Sequence, residues 1–323
     1  MKKSILYLLF FFAAINAVDA QKISPTDLKV IKKKEDSLKL IVKNIMVDSF
    51  TAGRMRSDSV FIKTLVRGLQ VKNSFYYPFD SIKGIGNVYA PDSSFRIFTW
   101  QLSFDDYYCR QRGAIQYKTD NGSLKLVPLL DFSEFTVSPQ DSVRGRDRWI
   151  GAVYYNIIQT KFNNKNYYTL FGFDANSVRS NKKWIEVLTF DNNKMPVFGG
   201  PIFTFEKDSI KKKPQYRFSI EYKKEASTTV NYDEEMQMIL VDHLISETDE
   251  PELAYTFVPD GDYEGFKWVN GKWQHIDKVF HEKLEDGQAP VPNPIKDSKG
   301  NNNEEKLKEQ SQKNKAGKKG NEQ

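Results

Sequence analysis

Near Phe75 the sequence changes its pattern, and this change decides the fold class. From there on, short β-branched and aromatic runs alternate with Asn, Asp, Gly and Pro, as in antiparallel strands joined by tight turns. Long helical patterns do not follow the strand candidates, which argues against a parallel α/β fold. The sequence predicts an α+β, mainly antiparallel fold, with a large sandwich-like or barrel-like antiparallel sheet preceded by two N-terminal helices. The strand candidates are residues 95–102, 149–160, 167–173, 184–190, 216–223 and 237–244.

Three turn sequences predict hairpins with two-residue turns: Asn121-Gly122, Asn192-Asn193 and Asn270-Gly271. In each hairpin the apolar side chains then share one face of the sheet. The predicted opposite pairs are Tyr117 with Leu126, Phe190 with Met195, Trp268 with Trp273, and Phe266 with His275.

Residues 21–72 predict a helical segment ahead of the β domain, which we expect over residues 73–284. The stretch from Ser24 to Asp27 supplies a capping hydroxyl, a proline at the first helical position and an acid in the first turn. Apolar residues then recur at helical spacing as far as Ile45, and again over residues 57–69. We therefore expect two helices.

The first twenty residues have the pattern of a signal peptide that is cut before Gln21. Lys2 and Lys3 precede a short apolar run over residues 5–15, and no later stretch is apolar for about 20 residues. We expect an exported, soluble mature chain without a transmembrane segment. Residues 285–323 are rich in Lys, Asn and Glu and predict a disordered tail. Because this end is not a folded β-module, we expect the periplasm rather than the exterior.

The formal net charge of +6 argues little for a nucleic-acid partner once it is divided along the chain. The leader and the tail carry most of it, which leaves about +2 for the residues between them. A nucleic-acid-binding protein normally concentrates its cations on one folded face. We therefore expect no nucleic-acid partner.

Cys109 is the only cysteine, so an intrachain disulfide is excluded. Its thiol is either a nucleophile or a small buried hydrophobic group. The aromatic residues before it, Tyr107 and Tyr108, favour the buried group.

The Asn270-Gly271 hairpin gathers four rings on one side of the sheet. If exposed, they would form a flat platform on which sugar rings stack, which predicts carbohydrate binding. The alternative is that they cover the hydrophobic core, because large aromatic residues usually face inward. The four candidate binding residues are Phe266, Trp268, Trp273 and His275.

Asp260, Asp262 and Glu264 occupy every second position of a segment that also contains two glycines. Carboxylates arranged in this way can converge on a hard cation, so they predict a calcium site. The alternative is an ordinary Asp-Gly turn between strands, because a complete calcium loop needs further oxygen ligands. Calcium is the only cofactor that the sequence suggests.

Other catalytic patterns are weak. His243, His275 and His281 lack zinc-binding spacings, and no nucleophile-elbow motif surrounds a serine. A hydrolase of envelope polysaccharide or peptide stays open, because its acids would come from separate strands and leave no local motif. In a folded structure such an enzyme would have a cleft with convergent acids.

Two segments resemble a family of exported bacterial proteins without assigned activity. They are residues 167–174, which read YYTLFGFD, and residues 182–199, which include KKWIEVLTF and PVFG. The FRIFTW run at residues 95–100 resembles an earlier strand of the same family. The resemblance covers residues 75–280 and implies a shared fold, with no catalytic residues to transfer. We therefore expect a non-enzymatic envelope protein that binds a polymer or another envelope protein, with the hydrolase as the alternative.

Overall fold

The computed structural model describes residues 23–105, 107–208 and 212–280. The predicted signal peptide, the predicted tail and His281 lie outside the described residues. Within the described part, two α-helices come first, and fifteen β-strands follow in three sheets.

The two helices form an antiparallel pair. Helix α1 spans Pro25–Val47, and the Ser24 hydroxyl accepts a hydrogen bond from the backbone N–H of Asp27 at 3.1 Å, as the capping pattern predicts. Helix α2 spans Thr51–Leu69 and begins ahead of the predicted residue 57. No helix in the described part of the chain is long and apolar enough to cross a membrane.

The first sheet is antiparallel and has the strand order β1-β2-β3-β4. The two faces of strand β2 pack against different layers. Phe98 and Trp100 point toward the helices, whereas Phe95 and Ile97 point toward the second sheet. The strands span Gly86–Tyr89 (β1), Phe95–Ser103 (β2), Cys109–Tyr117 (β3) and Lys125–Leu130 (β4).

The second sheet has the order β5-β9-β8-β7-β6, and β11 also pairs with β8. It is covered on both faces, so β8 is apolar on both sides: Leu188 faces the first sheet, and Ile185 and Val187 face the third. The strands span Arg144–Gly145 (β5), Val153–Phe162 (β6), Lys165–Asp174 (β7), Ser180–Phe190 (β8), Pro196–Phe198 (β9) and Arg217–Lys223 (β11).

The third sheet has the order β10-β15-β14-β13-β12. All of its pairs are antiparallel except the short parallel contact between β10 and β15. The strands span Phe203–Thr204 (β10), Val230–Asp233 (β12), Met238–Ser246 (β13), Phe257–Val269 (β14) and Lys272–Ile276 (β15).

Three apolar clusters hold four layers together, in the order helices, first sheet, second sheet, third sheet. The helices share a core with the first sheet, where the rings of Phe61 and Trp100 lie 5.0 Å apart. The predicted α+β, mainly antiparallel fold is confirmed in its sandwich form. The predicted large sheet is divided into three stacked sheets.

The structure confirms the predicted strand register in one of the three hairpins and differs from it in the other two. The Asn270-Gly271 hairpin is confirmed, with Trp268 opposite Trp273. The other two were wrong by one residue, because Tyr117 pairs with Lys125 and Phe190 pairs with Pro196. Their connections are longer than two residues because an Asn or Asp side chain organises each loop: Asn121 accepts the N–H of Ser123, and Asp191 accepts those of Asn193 and Met195.

Candidate functional site

The four aromatic residues predicted as a sugar platform lie at the interface between the second and third sheets. Phe266 and Trp273 are fully buried, His275 is 2% exposed, and only Trp268 is half-buried. The indole N–H of Trp273 donates to the Thr169 hydroxyl at 2.9 Å. These rings form core rather than an exposed platform, because the hairpin face that carries them packs against the second sheet.

The three carboxylates predicted to bind calcium all lie on β14, but each contacts a different basic side chain. Among the described residues, no group of three or more metal-ligating side chains is close enough to hold an ion. The structure therefore does not bring Asp260, Asp262 and Glu264 together as a metal site. Their partners are His243 for Asp260 (2.8 Å), Lys278 for Asp262 (2.6 Å) and His275 for Glu264 (3.1 Å).

His275 lies between two acids. Its Nδ1 is 2.9 Å from both carboxylate oxygens of Asp208, and its Nε2 contacts Glu264. Burial lowers the pKa of His275, but the hydrogen bonds that the ring makes to the carboxylates of Glu264 and Asp208 outweigh it and raise the pKa above its ordinary value. The ring contacts carboxylates on both sides rather than a serine or a thiol, which is unlike a nucleophile–base pair.

A polar cleft opens where the first and second sheets end at the same edge. It consists of two adjoining pockets of about 350 and 310 Å³ that share Tyr108, Cys109 and Asn176 in their walls. The end of β2, the start of β3, the loop after β4 and the end of β7 meet there. We refer to this space as the cleft.

Asp131 lies in the cleft wall directly after β4. One carboxylate oxygen accepts the backbone N–H of Ser133 at 3.0 Å, its hydroxyl at 2.6 Å and the N–H of Gly151 at 3.3 Å. The other oxygen accepts the N–H of Gln111 at 2.8 Å. Both oxygens of Asp131 are therefore used to hold backbone in place.

Asp174 is the last residue of β7 and lies on the other side of Gln111. Its Oδ1 accepts the side-chain amide of Gln111 at 3.1 Å and the backbone N–H of Asn176 at 2.9 Å. Burial raises the pKa of Asp174 above its ordinary value, and the nearby charge of Asp131 adds to the effect, whereas the Asn176 N–H and Lys182 oppose it. This carboxyl retains its proton to a higher pH than an ordinary aspartate.

The Cys109 thiol lies 3.8 Å from Asp174 in the shared wall of the two pockets. Burial raises the pKa of Cys109 to about 12, and the Asp174 carboxylate contributes in the same direction. The thiol therefore stays protonated at neutral pH, and a protonated thiol is a poor nucleophile. The thiol is therefore unreactive, as the sequence favours, but it is half-buried in the cleft wall rather than fully buried.

Basic residues line the cleft, but they also fix its loops. Lys224 donates to the backbone carbonyls of Ala175 at 2.8 Å and Ser177 at 2.9 Å, which holds the loop after β7. Lys182 forms an ion pair with Glu221 at 3.1 Å. These contacts give the cleft a fixed shape with cationic groups in its walls.

Trp184 closes one wall of the cleft. Its side chain is 6% exposed, and its buried indole N–H has no hydrogen-bond partner among the described residues. A buried unpaired donor is costly unless a ligand or water satisfies it. The indole N–H of Trp184 is therefore a buried donor at the cleft wall that protein groups of the described residues do not satisfy.

The rim of the cleft is apolar and aromatic. Met46, Tyr107, Val137 and Val178 line the two pockets and have exposed side chains. The cleft therefore combines a polar floor with an apolar rim.

Sequence reasoning missed Asp131, Asp174 and Trp184, because the two acids lie at the ends of different strands, Trp184 lies within a third strand, and the three share no local motif. A usable signal is present for the two acids: each directly follows an apolar strand run, and each is followed within two residues by Ser or Asn.

We compared the chain with protein-family models, curated proteins and solved structures, and none matches. The resemblance to exported bacterial proteins stays a prediction.

Proposed function

We propose that this protein is an exported, periplasmic, non-enzymatic binding protein of the cell envelope, and that it holds a short saccharide segment of an envelope polymer in the cleft. One observation carries the proposal: the cleft has a hydrogen-bonding floor and an exposed aromatic and apolar rim. A sugar presents hydroxyl groups and an apolar ring face, so it fits a site that offers both.

The hydrogen bonds of the two acids favour binding over hydrolysis. All oxygens of Asp131 already accept backbone or hydroxyl hydrogen bonds, and Asp174 organises the turn at Asn176. A catalytic carboxylate must direct an oxygen at the substrate. Asp131 is therefore assigned to the support of the cleft, whereas Trp184 and Tyr107 are assigned to ligand contact.

Calorimetric titration with soluble fragments of envelope polysaccharides tests the binding function. We expect Trp184→Phe, which removes the N–H, and Tyr107→Ala, which removes a stacking ring, each to weaken binding about tenfold. Tyr76→Ala is the matched control, because Tyr76 is also an exposed tyrosine but does not line the cleft. Equal losses in the control, or no saccharide binding by the parent protein, would reject the proposal.

A hydrolase is the second candidate, favoured by the raised pKa of Asp174 next to Asp131. In that case Asp174 would be the general acid. Incubation of the parent protein with the same saccharides and with envelope peptides should then release products, and Asp174→Asn should abolish release while binding is retained. An absence of product from the parent protein would dismiss the hydrolase and leave the binding function intact.

A further inference from the structure

The helical layer carries a positive charge that the rest of the fold lacks. Residues 25–69 contain ten Lys and Arg against five Asp and Glu, whereas residues 70–295 contain 27 against 31. Two of the five acids are buried and engaged: Glu35 accepts the N–H of Ser81 at 3.0 Å, and Asp58 accepts the indole N–H of Trp100 at 2.8 Å. The exposed surface of the helices is therefore strongly cationic.

One end of this layer also projects large apolar side chains into solvent. The turn between α1 and α2 and the neighbouring turn between β2 and β3 meet there. We call the four exposed apolar residues at this end the tip; they are Met46, Val47, Phe50 and Tyr107. Isolated apolar residues on a surface are common, but four this exposed at one end are unusual. The exposed fractions are 62% for Met46, 63% for Val47, 77% for Phe50 and 75% for Tyr107.

Hydrogen bonds hold the two turns together. Arg54 donates to the carbonyl of Ser103 at 2.7 Å, to that of Phe104 at 2.9 Å and to that of Asp48 at 2.6 Å. The Thr51 hydroxyl also donates to the Phe104 carbonyl at 2.5 Å. The apolar tip is therefore presented by an anchored backbone that keeps these side chains turned outward.

We propose that the helical layer docks this protein on an anionic lipid bilayer. The tip enters the headgroup region, where burial of apolar side chains is favourable, and Lys43 and Arg56 contact lipid phosphates. Both cations are exposed, and neither joins an ion pair within the described residues. A soluble polyanion would use the cations but not the tip, so the combination favours a lipid surface.

Docking in this orientation has a consequence for the cleft. Met46 and Tyr107 belong to the tip and also line the first of the two pockets. The mouth of the cleft therefore faces the lipid surface when the tip is inserted. The inference does not depend on which ligand the cleft holds, because the charge and the exposed tip are separate from the cleft floor.

Co-sedimentation with vesicles tests the proposal, with protein purified as an exporting host processes it. We expect binding to vesicles of phosphatidylglycerol and phosphatidylcholine, weakening as salt is raised, and no binding to phosphatidylcholine alone. The double variant Lys43→Gln and Arg56→Gln should weaken binding about 30-fold. Each cation near the lipid surface contributes about 1 kcal/mol, which is slightly more than fivefold in affinity. The pair Val47→Ser and Phe50→Ser should weaken it at least about tenfold.

The matched control is the pair Lys267→Gln and Lys272→Gln, two exposed lysines of the third sheet. Every variant has the same terminal residues as the parent protein, so the charges outside the described residues contribute equally to each binding measurement. Thermal unfolding checks that each variant folds. Lack of binding to anionic vesicles, or an equal loss in the control pair, overturns the proposal. Self-association that the tip variants abolish, or heparin binding as tight as vesicle binding and unaffected by the tip variants, also overturns it. Saccharide titration of the same variants tests the cleft separately.

Discussion

Arg96 lies on β2 and is fully buried against the segment of residues 74–79 that follows α2. Burial lowers its pKa to about 10, so it is still charged at neutral pH, yet no carboxylate forms a salt bridge with it among the described residues. Its charge is instead satisfied by neutral oxygens and ring faces. These are Gln116 Oε1 (2.8 Å), the carbonyls of Tyr77 (2.6 Å) and Ser74 (2.9 Å), the Tyr89 hydroxyl, and the rings of Phe75, Phe79, Tyr89 and Phe98 at 4.6–5.8 Å.

We expect Arg96→Lys to destabilise the protein by about 3 kcal/mol, because one ammonium group cannot reach all of these acceptors and some stay buried without a donor. Urea unfolding measures the change. Arg67→Lys, at an exposed position on α2, should shift the free energy of unfolding by less than about 0.5 kcal/mol. A tolerated Arg96→Lys would mean that the guanidinium geometry is not required.

His275 gives the stability of the protein a predictable pH dependence. Its folded pKa is raised above the ordinary value of 6.5, because the Glu264 and Asp208 hydrogen bonds outweigh burial. The folded state therefore binds the proton more tightly than the unfolded state does. This stabilisation is complete below about pH 6.5 and is lost as the pH rises through the folded pKa, at about 1.4 kcal/mol for each unit of difference.

Unfolding free energies measured from pH 5.5 to 9 should decrease with rising pH in the parent protein, and His275→Gln should flatten the slope. His243→Gln is the control substitution, because His243 is a second histidine of the third sheet that contacts Asp260 and neither Asp208 nor Glu264. An unchanged slope in His275→Gln would assign the pH dependence to another group.

At the scale of elements, Gly86 lies where β1 of the first sheet approaches β6 of the second sheet closely. A Cβ atom at this position would lie 2.2 Å from the backbone oxygen of Tyr154 on β6 and 2.5 Å from the Thr99 hydroxyl on β2. Neither distance is tolerated without movement of a strand. A side chain larger than glycine at this position would therefore force β1 away from β6.

We expect Gly86→Ala to lower the free energy of unfolding by about 3 kcal/mol, because β1 must move away from β6. Gly145→Ala is the matched control: it also lies in a short strand, and nothing approaches its Cβ position within 4 Å. Thermal or urea unfolding of both variants measures the difference. A stable Gly86→Ala protein would show that β1 can shift at little cost.

The elements themselves were largely predictable from the sequence. The Ser24 cap and the helical spacing located α1, and each of the six strand candidates overlaps a strand, although the candidate at residues 149–160 begins four residues before β6. Two registers failed because loop side chains such as Asp191 change the number of residues in the turn. The start of α2 was missed because Thr51 and Arg54 are anchored to Phe104, which is distant in sequence.

At the scale of the whole molecule, the helices and the first sheet are connected by a buried acid. Asp58 on α2 accepts hydrogen bonds from the indole N–H of Trp100 at 2.8 Å and from Arg112 at 3.1 Å. Together with the shared apolar cluster, this contact joins the helical layer to the sheets. We therefore expect the helices and the sheets to unfold in one transition.

The Asp58→Ala variant tests this connection. It leaves Arg112 and Trp100 without their partner and should cost about 2–3 kcal/mol. Far-ultraviolet circular dichroism and tryptophan fluorescence should still report the same unfolding midpoint. Asp36→Asn is the control, because Asp36 pairs with Lys39 in solvent and should change stability little. Separate midpoints for the two signals in the parent protein would mean that the helices unfold independently.

The candidate cleft could not be predicted in the same way as the elements. Asp131, Asp174 and Trp184 meet only because two sheets stack with a particular edge aligned. That alignment depends on contacts between layers, such as the approach at Gly86, and not on hydrophobic periodicity. Local patterns suggested Trp273 and Asp262 instead, since they lie in a conspicuous hairpin and a conspicuous acidic segment.

The second sheet is enclosed on both faces, so its strands can change little without disturbing two cores at once. The connections at its edge have no such restriction, and two of them, residues 131–143 and 175–179, border the cleft. Descendants of this chain can therefore acquire new ligand preferences by lengthening or exchanging these connections while the stacked layers stay unaltered. The fold separates the residues that must be inherited together from those that are open to variation.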